Sequence, residues 1–542
     1  MLLMSTLAGV PYKRYAAAGA FDGFDAIVIG SGMGGLTAAA LMARHAGKRV
    51  LVLERHYTAG GFTHVFHRPG WEWDVGVHYV GQAGDRSSQV RAMFDEITEG
   101  RLTWNAMPDV YDRIRIADRW YDFVTGAERF RERMQEYFPG EGRAIVRYVQ
   151  QVRDAAGASA MYFAEKALPA AFATLAGPLL RRRFLRHAGQ TTAGALARLT
   201  GNRELAAVLT GQWGNYGLPP AASSFGMHAI IAEHYFDGGF YPEGGASRIA
   251  ASIEPAIERA GGKILVGAEV ARILVDAHNR ATGVRMADGQ ELRAPVVMSD
   301  AGAWNTFAKL LPESTAGRAA ALAEIESIPS SMSHLCLYVG LRRGPADPEF
   351  GGANLWIYPG ADHDANVARF HADPEQPFPG LFISFPSAKD PTFAERYPGR
   401  ATIEVITLVP YGWFEQWQDA RWKRRGADYD AFKQRLAERL REELERHVPA
   451  VRGKIEYCEL STPLSTRHFA NFQRGEIYGM SATPERFRAR RLGPRTPVQN
   501  LYLTGADAAV PGVTGAMFGG ALAASAVPRR NLLGAVARRK AA

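Results

Sequence analysis

The sequence predicts an α/β fold in which a dinucleotide-binding domain is completed by a mixed α+β second domain. Three observations predict it. Residues 25–54 run strand, glycine turn, helix, strand. A second strand, glycine turn and small-residue helix follow from Leu501. Between the two, the stretch from Gly244 alternates helix and strand signals.

The first unit is the most explicit. DAIVIG is a β run, LTAAALMARHAG a helix ended by Gly47, and KRVLVLE a second strand. Gly30, Gly32 and Gly35 occupy the G-x-G-x-x-G positions, which serve a tight turn, close approach to a pyrophosphate, and helix–strand packing. The helix N-terminus adds free N–H groups and about half a positive charge. Glu54, 19 residues after Gly35, can accept the hydroxyls of an adenosine ribose. This is the Rossmann-type fingerprint. Gly60-Gly61 then sits where the chain would fold back over the same cofactor, and NLYLTGADAAVPGVTGAMFGGALAAS offers a second helix N-terminus near Val513. Such a terminus stabilises negative charge on an electron-rich ring.

Composition narrows the function classes. A chain of 542 residues, 47% apolar, suffices for two or more domains. Cys336 and Cys458 are far apart and match no metal spacing, so neither a disulfide framework nor a metal site is expected, and a reducing compartment is. The N-terminal MLLMSTLAGVPYKRYAAAGAFDGF has no export pattern and reads as cytoplasmic. Net charge is +9, but 54 of the 64 basic residues are arginine, a bias that a GC-rich genome produces. An anionic membrane surface suits that charge better than nucleic acid, for which no base-reading motif is present.

The combination of G-x-G-x-x-G, E-R-x(4)-G-G, D-x-G-x-H (Asp74, Gly76, His78) and G-A-D…P-G-x-T-G-A resembles the FAD-dependent phytoene desaturase and carotenoid isomerase superfamily. It is more similar to the retinol saturase-like branch, through NYGLPPAASSFGMHAIIAEHYFDGGFYPEGGASRIA, SFPSAKDPTFAERYPG and STPLSTRHFANFQRGEIYGM. The resemblance covers nearly the whole chain except its first 20 or so residues and a divergent 100–200 region. It implies an amine-oxidase-like FAD domain with FAD against Gly30, Ser31, Gly32, Met33, Gly34, Gly35, Glu54, Arg55, Gly60, Gly61, Phe62, Gly505, Asp507, Gly512, Val513 and Thr514. Val270 falls where related flavoproteins contact adenine.

The FAD domain is expected from residues 1–85, 240–300 and 451–542, and the substrate domain from 86–239 and 301–450. VDAHNRATGVRMADGQELRAPVVMSD reads as a β meander with a turn at Asp288-Gly289. In the second domain, the apolar run Ala167 to Leu180 is too short to span a bilayer. Leu179, Leu180, Arg181, Arg182, Arg183 and Phe184 mix cations with apolar side chains and suit a lipid interface, giving a peripheral protein at the inner membrane face. A core helix ending in a solvated basic turn is the competing reading.

A flavin exchanges hydride at N5, so the protein must hold a carbon centre there and exclude water. The second hydrogen moves as a proton. His78, Tyr235 and His228 are the candidate acids or bases, with Tyr79, His234 and Tyr241 behind them. Lys389-Asp390-Pro391 reads as a turn held by an ion pair. The expected function is desaturation, saturation or isomerisation of carbon–carbon bonds in a long apolar lipid, a carotenoid, retinoid or fatty acyl chain. With no second complete nucleotide fingerprint, electrons would pass to or from a quinone, dioxygen or a separate reductase. Two other readings stand. An amine oxidase-like flavoenzyme would want an aromatic cage from WEWDVG or the Trp-rich YGWFEQWQDARW, the latter resembling a surface helix. A lipid-binding module of the GDP dissociation inhibitor type would carry no flavin.

Overall fold

A computed structural model describes residues 12–527, apart from 18–20, 22, 169, 344–349 and 491, together with residues 532, 534 and 536. Its centre is a six-stranded sheet in the order Lys13–Arg14, Lys263–Val266, Val50–Glu54, Ala26–Ile29, Val297–Ser299, Leu501–Leu503. All five pairings are parallel. The inner strands read as unbroken apolar runs because helices cover both faces of such a sheet. The helix Met33–Ala46 packs on one side and meets the C-terminal helix Val513–Ala526, whose glycines allow the backbones to touch. A Cβ on Gly520 would overlap the Gly34 carbonyl, and one on Gly519 the Gly505 carbonyl.

The segment after Glu269 forms a three-stranded antiparallel meander, Val270–Val275, Ala281–Met286 and Glu291–Arg293. Gly289, at φ 92°, supplies the left-handed residue of its second turn.

A seven-stranded sheet forms the other wall. Its order is Ile455–Ser461, Ser333–Arg342, Arg400–Val409, Leu381–Ser384, Asn354–Tyr358, Val110–Ile116, Arg119–Val124. Ile455–Ser461, placed with the FAD segments by a boundary at 451, instead pairs with Ser333–Arg342. Its alternating pattern serves an edge strand equally well on either sheet, and the long-range pairing decides. Side chains alternate across the sheet with period two. Leu335, Leu337, Val339, Ile403 and Val405 pack against Leu436, Leu440 and Leu444 of the helix Ala427–His447. Residues one step along each strand face the opposite way, toward the cofactor domain.

The helices Gly142–Ala167 and Ala170–Ala188 pack together, the second containing Pro178. Phe184 does not belong to an exposed surface. It is fully buried, with its ring 4.9 Å from Tyr162 and 5.5 Å from Phe487. Arg181 is only slightly exposed and lies 3.7 Å from Glu165. The helix does expose Leu175, Leu179, Arg182 and Arg186, spaced along one stripe, and beside them Pro178 and Arg183, the latter 3.7 Å from Asp154. The expectation failed at Phe184 because a run of alternating charge and apolarity does not reveal which helical face meets a neighbour. No described helix is long and apolar enough to cross a membrane. The segment from Tyr411 is not a helix of the expected kind but two 3₁₀ turns, Tyr411–Trp413 and Glu415–Trp417.

Helix propensity alone makes Gly520→Ala stabilising by about 1 kcal/mol. The overlap with the Gly34 carbonyl predicts instead a net loss of about 1–3 kcal/mol, read as a lower denaturation midpoint.

Candidate active site

From the central strand Ala26–Ile29 the sheet grows outward in both directions, to Val50–Glu54 on one side and Val297–Ser299 on the other. Open parallel sheets bind ligands in the crevice outside such a reversal. Gly30, Asp300 and Gly505 leave the C-terminal ends of three adjacent strands at that crevice. Gly30 and Gly505 have φ of 95° and 77°, a region only glycine enters freely. A side chain on Gly34 would overlap the Gly505 backbone, so the turns from the two ends of the chain abut without one.

Asp300 fills the remaining space between them. Its carboxyl accepts from the Thr504 hydroxyl at 2.7 Å and from the Gly35 amide. Burial pushes its pKa up to about 7, those two donors opposing. Glu54 is held by Ser31, whose amide and hydroxyl donate to Oε2 at 2.8 and 2.7 Å, and by the His56 amide at 2.7 Å to Oε1. That fixes the carboxylate toward the cavity.

One cavity of about 820 Å³ starts here and runs between the two sheets. Gly30, Gly32, Met33, Glu54, Arg55, Gly60, Gly61, Phe62, Val270, Gly505, Gly512 and Val513 line it. The other expected cofactor residues do not. Ser31 backs Glu54, Gly34 and Gly35 pack against Gly505 and the Gly30 carbonyl, and Thr514 lies one step into the C-terminal helix. Asp507 turns away. It accepts from the Ala303 amide at 2.8 Å and lines a smaller, 270 Å³ cavity. Its place in a glycine-rich turn suggested the cofactor; capping a nearby helix start is what it does.

The far half of the cavity is walled by the free face of the seven-stranded sheet. Trp356, Tyr358, Phe382, Ile406, Leu408 and Tyr478 line it with Trp213 and Asn215. Trp71 and Trp73 of the WEWDVG stretch pack with Cys336 and Tyr338 and do not line the cavity themselves, and from the second Trp-rich stretch only Trp422 reaches the cavity.

Of the three candidate acids or bases, His78 alone lines the cavity. Its Nδ1 lies 2.7 Å from Oε2 of Glu404, which is fully buried. Burial and the Lys389 ammonium push the His78 pKa down to about 4, while Asp74 opposes. Tyr235 stacks on Tyr79 with ring centres 4.3 Å apart and does not reach the cavity. His228 is held by the hydroxyls of Tyr148 and Tyr216, at 2.9 and 3.1 Å. Both lie on the helix Phe225–Tyr235, which is buried nearly all round. On such a helix a polar residue is more often a satisfied core group, and these two are.

Lys389 and Asp390 form no ion pair with each other. Lys389 Nζ donates to the His78 carbonyl (2.9 Å), Asn354 Oδ1 (2.5 Å) and Ser384 Oγ (2.7 Å), while Asp390 pairs with Arg396. Asp300, Glu404 and His334 escaped the sequence reading. The signal available for the last two was a Glu or a His inside a mostly apolar strand, RATIEVITLV and SHLCLYVG.

Residues 28–97 match the NAD(P)-binding Rossmann-like domain family. Over 531 residues the chain is 36% identical to the all-trans-retinol 13,14-reductase of Danio rerio, covering 94% of this chain and 87% of that one. It is 25% identical over 527 residues to the chloroplastic prolycopene isomerase of Arabidopsis thaliana, covering 93% and 82%. Among solved structures, cyclohexylamine oxidase from Brevibacterium oxydans shares the fold, with a TM-score of 0.56 at 17% identity over 96% of this chain and 100% of that one.

Glu54→Ala and Gly32→Val should each lower the dinucleotide content of purified protein, measured by extraction and chromatography, while circular dichroism stays unchanged. Full retention by both variants contradicts the cradle.

Proposed function

The chain belongs to the retinol saturase-like branch of the phytoene desaturase and carotenoid isomerase superfamily, and we propose that it is an FAD-dependent enzyme that saturates a carbon–carbon double bond in a long, apolar, retinoid- or carotenoid-like lipid. That it is an oxidoreductase acting on C=C bonds follows from its relatives. The single observation that carries the finer reading is the one cavity, which joins both glycine turns to an aromatic wall with His78 between.

FAD fits the cradle. Gly30, Gly32, Gly505 and Gly512 leave it bare of side chains at both helix N-termini, and Glu54 and Val270 stand at its other end. A carboxylate at position 54 suits ribose hydroxyls and would repel a 2′-phosphate. When bound, the flavin supplies hydride. The chain's own residues do the rest. Trp356, Phe382 and Tyr478 offer flat apolar surfaces that hold a polyene extended. Burial among them keeps water from the reacting carbon. His78, at the cavity wall, gives the proton that completes the addition. Among the described residues there is a single parallel sheet, so we assign reducing equivalents to an external partner, a quinone, dioxygen or a reductase.

Leu175 and Leu179, 84% and 74% exposed, with Arg182 and Arg186 on the same stripe, support peripheral attachment to an anionic membrane at the inner face. A water-insoluble substrate would enter from there.

His78→Ala should keep FAD bound, with its visible spectrum intact, yet slow saturation about 100-fold, the scale of a positioned acid. Wild-type turnover would contradict the assignment. Leu175→Glu with Leu179→Glu should weaken sedimentation with phosphatidylglycerol vesicles; unchanged sedimentation would remove this face from membrane contact.

A further inference from the structure

The free face of the seven-stranded sheet ends in a polar row. Ser384 stands opposite Glu404, and Asn354 is in register with Asp112. Leu355 pairs with Ile383, which puts Asn354 across from Ser384. All four side chains, one from each of four adjacent strands, are 0% exposed. Burying ionisable groups in an apolar wall costs stability unless they are paired or neutralised. Asp112 is paired, accepting from Asn354 (2.8 Å), Gln212 (2.7 Å) and Tyr79 (2.8 Å). Lys389 ties Asn354 and Ser384 to the His78 carbonyl. Glu404 accepts from the Asp74 amide and faces the His78 ring, with Oε2 2.7 Å from Nδ1.

We propose that Glu404 and His78 form a two-proton relay, in which Glu404 passes its carboxyl proton to Nδ1 as Nε2 releases one to the substrate carbon. The inference rests on the reading of His78 as the proton donor. With hydride supplied by a bound reduced flavin to one carbon of the double bond, the π electron pair would move to the other carbon. That pair takes the Nε2 proton. The Nε2–H bond breaks, Nδ1–H forms, and the Glu404 O–H bond breaks. The imidazole stays neutral throughout and Glu404 becomes a carboxylate; one proton taken from water at Nε2, with the Nδ1 proton returning to Glu404, restores the starting state.

The surroundings favour this starting state. Burial pushes the Glu404 pKa up to about 8, with Lys389 opposing. His78, held down to about 4, is neutral. Asp74, bonded to the Tyr241 hydroxyl at 2.5 Å, is pushed up to about 8 by burial and then by Glu404. His334 is pushed down to about 4 by burial and the neighbouring His78 ring. Burial likewise raises the Cys336 thiol and the Tyr338 hydroxyl beside Glu404, keeping both uncharged. Lys389 is lowered to about 8 by burial, with Glu404, Asp112 and Asp74 opposing. A neutral ring accepting at Nδ1 carries its proton on Nε2, the nitrogen left for the cavity.

The test uses full-length, FAD-loaded protein with retinol in detergent micelles and chemically reduced flavin. Wild-type turnover should fall as pH rises through about 8, where Glu404 loses its proton. Glu404→Gln should be about 100-fold slower, bind FAD normally, and lack that high-pH limb. A limb that survives in Glu404→Gln belongs to Lys389 or Asp74 and overturns the relay. So does wild-type turnover in Glu404→Gln when His78→Ala is slow, whereas wild-type turnover in His78→Ala defeats the parent reading instead. Independently of any variant, ¹⁵N spectra of histidine-labelled wild-type protein at neutral pH should show His78 protonated on Nε2 and accepting on Nδ1. Protonation on Nδ1 overturns the relay.

Discussion

Two backbone turns, drawn from opposite ends of the chain, touch at Gly34 and Gly505 with no room for a Cβ between them. The rest of the architecture depends on that contact. It brings the helices Met33–Ala46 and Val513–Ala526 side by side, so that two helix N-termini border one crevice. Asp300 sits at the junction and is bonded to both sides, through Gly35 and Thr504. A carboxyl there opposes a second anion, and burial, by raising its pKa to about 7, lessens that charge.

The seven-stranded sheet divides its labour by face. Leu335, Leu337 and Val339 build a core under the helix Ala427–His447, while His334 and Tyr338, one residue along the same strand, look into the cavity. The cavity wall is therefore the back of a well-packed sheet. That backing holds His78 and Glu404 2.7 Å apart, and burial moves their pKa values toward each other's range.

How much could be read in the sequence follows from contact distance along the chain. Gly30, Gly32 and Glu54 lie within one βαβ unit, and their spacing alone announces a nucleotide cradle. Asp300 meets Thr504 from 204 residues away and His78 meets Glu404 from 326, so no local pattern pairs them. Tyr235 and His228 misled because a motif rich in His and Tyr reads the same whether it lines a cavity or fills a helical core. Phe184 misled for the same reason on the surface. Lys389 was legible as a notable residue but not as a partner of Asn354 and Ser384, which lie on different strands.

The central claim is that the two ends of the chain hold one flavin whose ring lies between the second glycine turn and His78. A crystal structure of the protein reconstituted with FAD tests it most directly. The account predicts pyrophosphate against Gly32, adenosine beside Glu54, and the isoalloxazine near Val513 with its reactive edge open to the Trp356 and Phe382 wall. A flavin bound elsewhere, or a ring separated from His78 by the core, would contradict it.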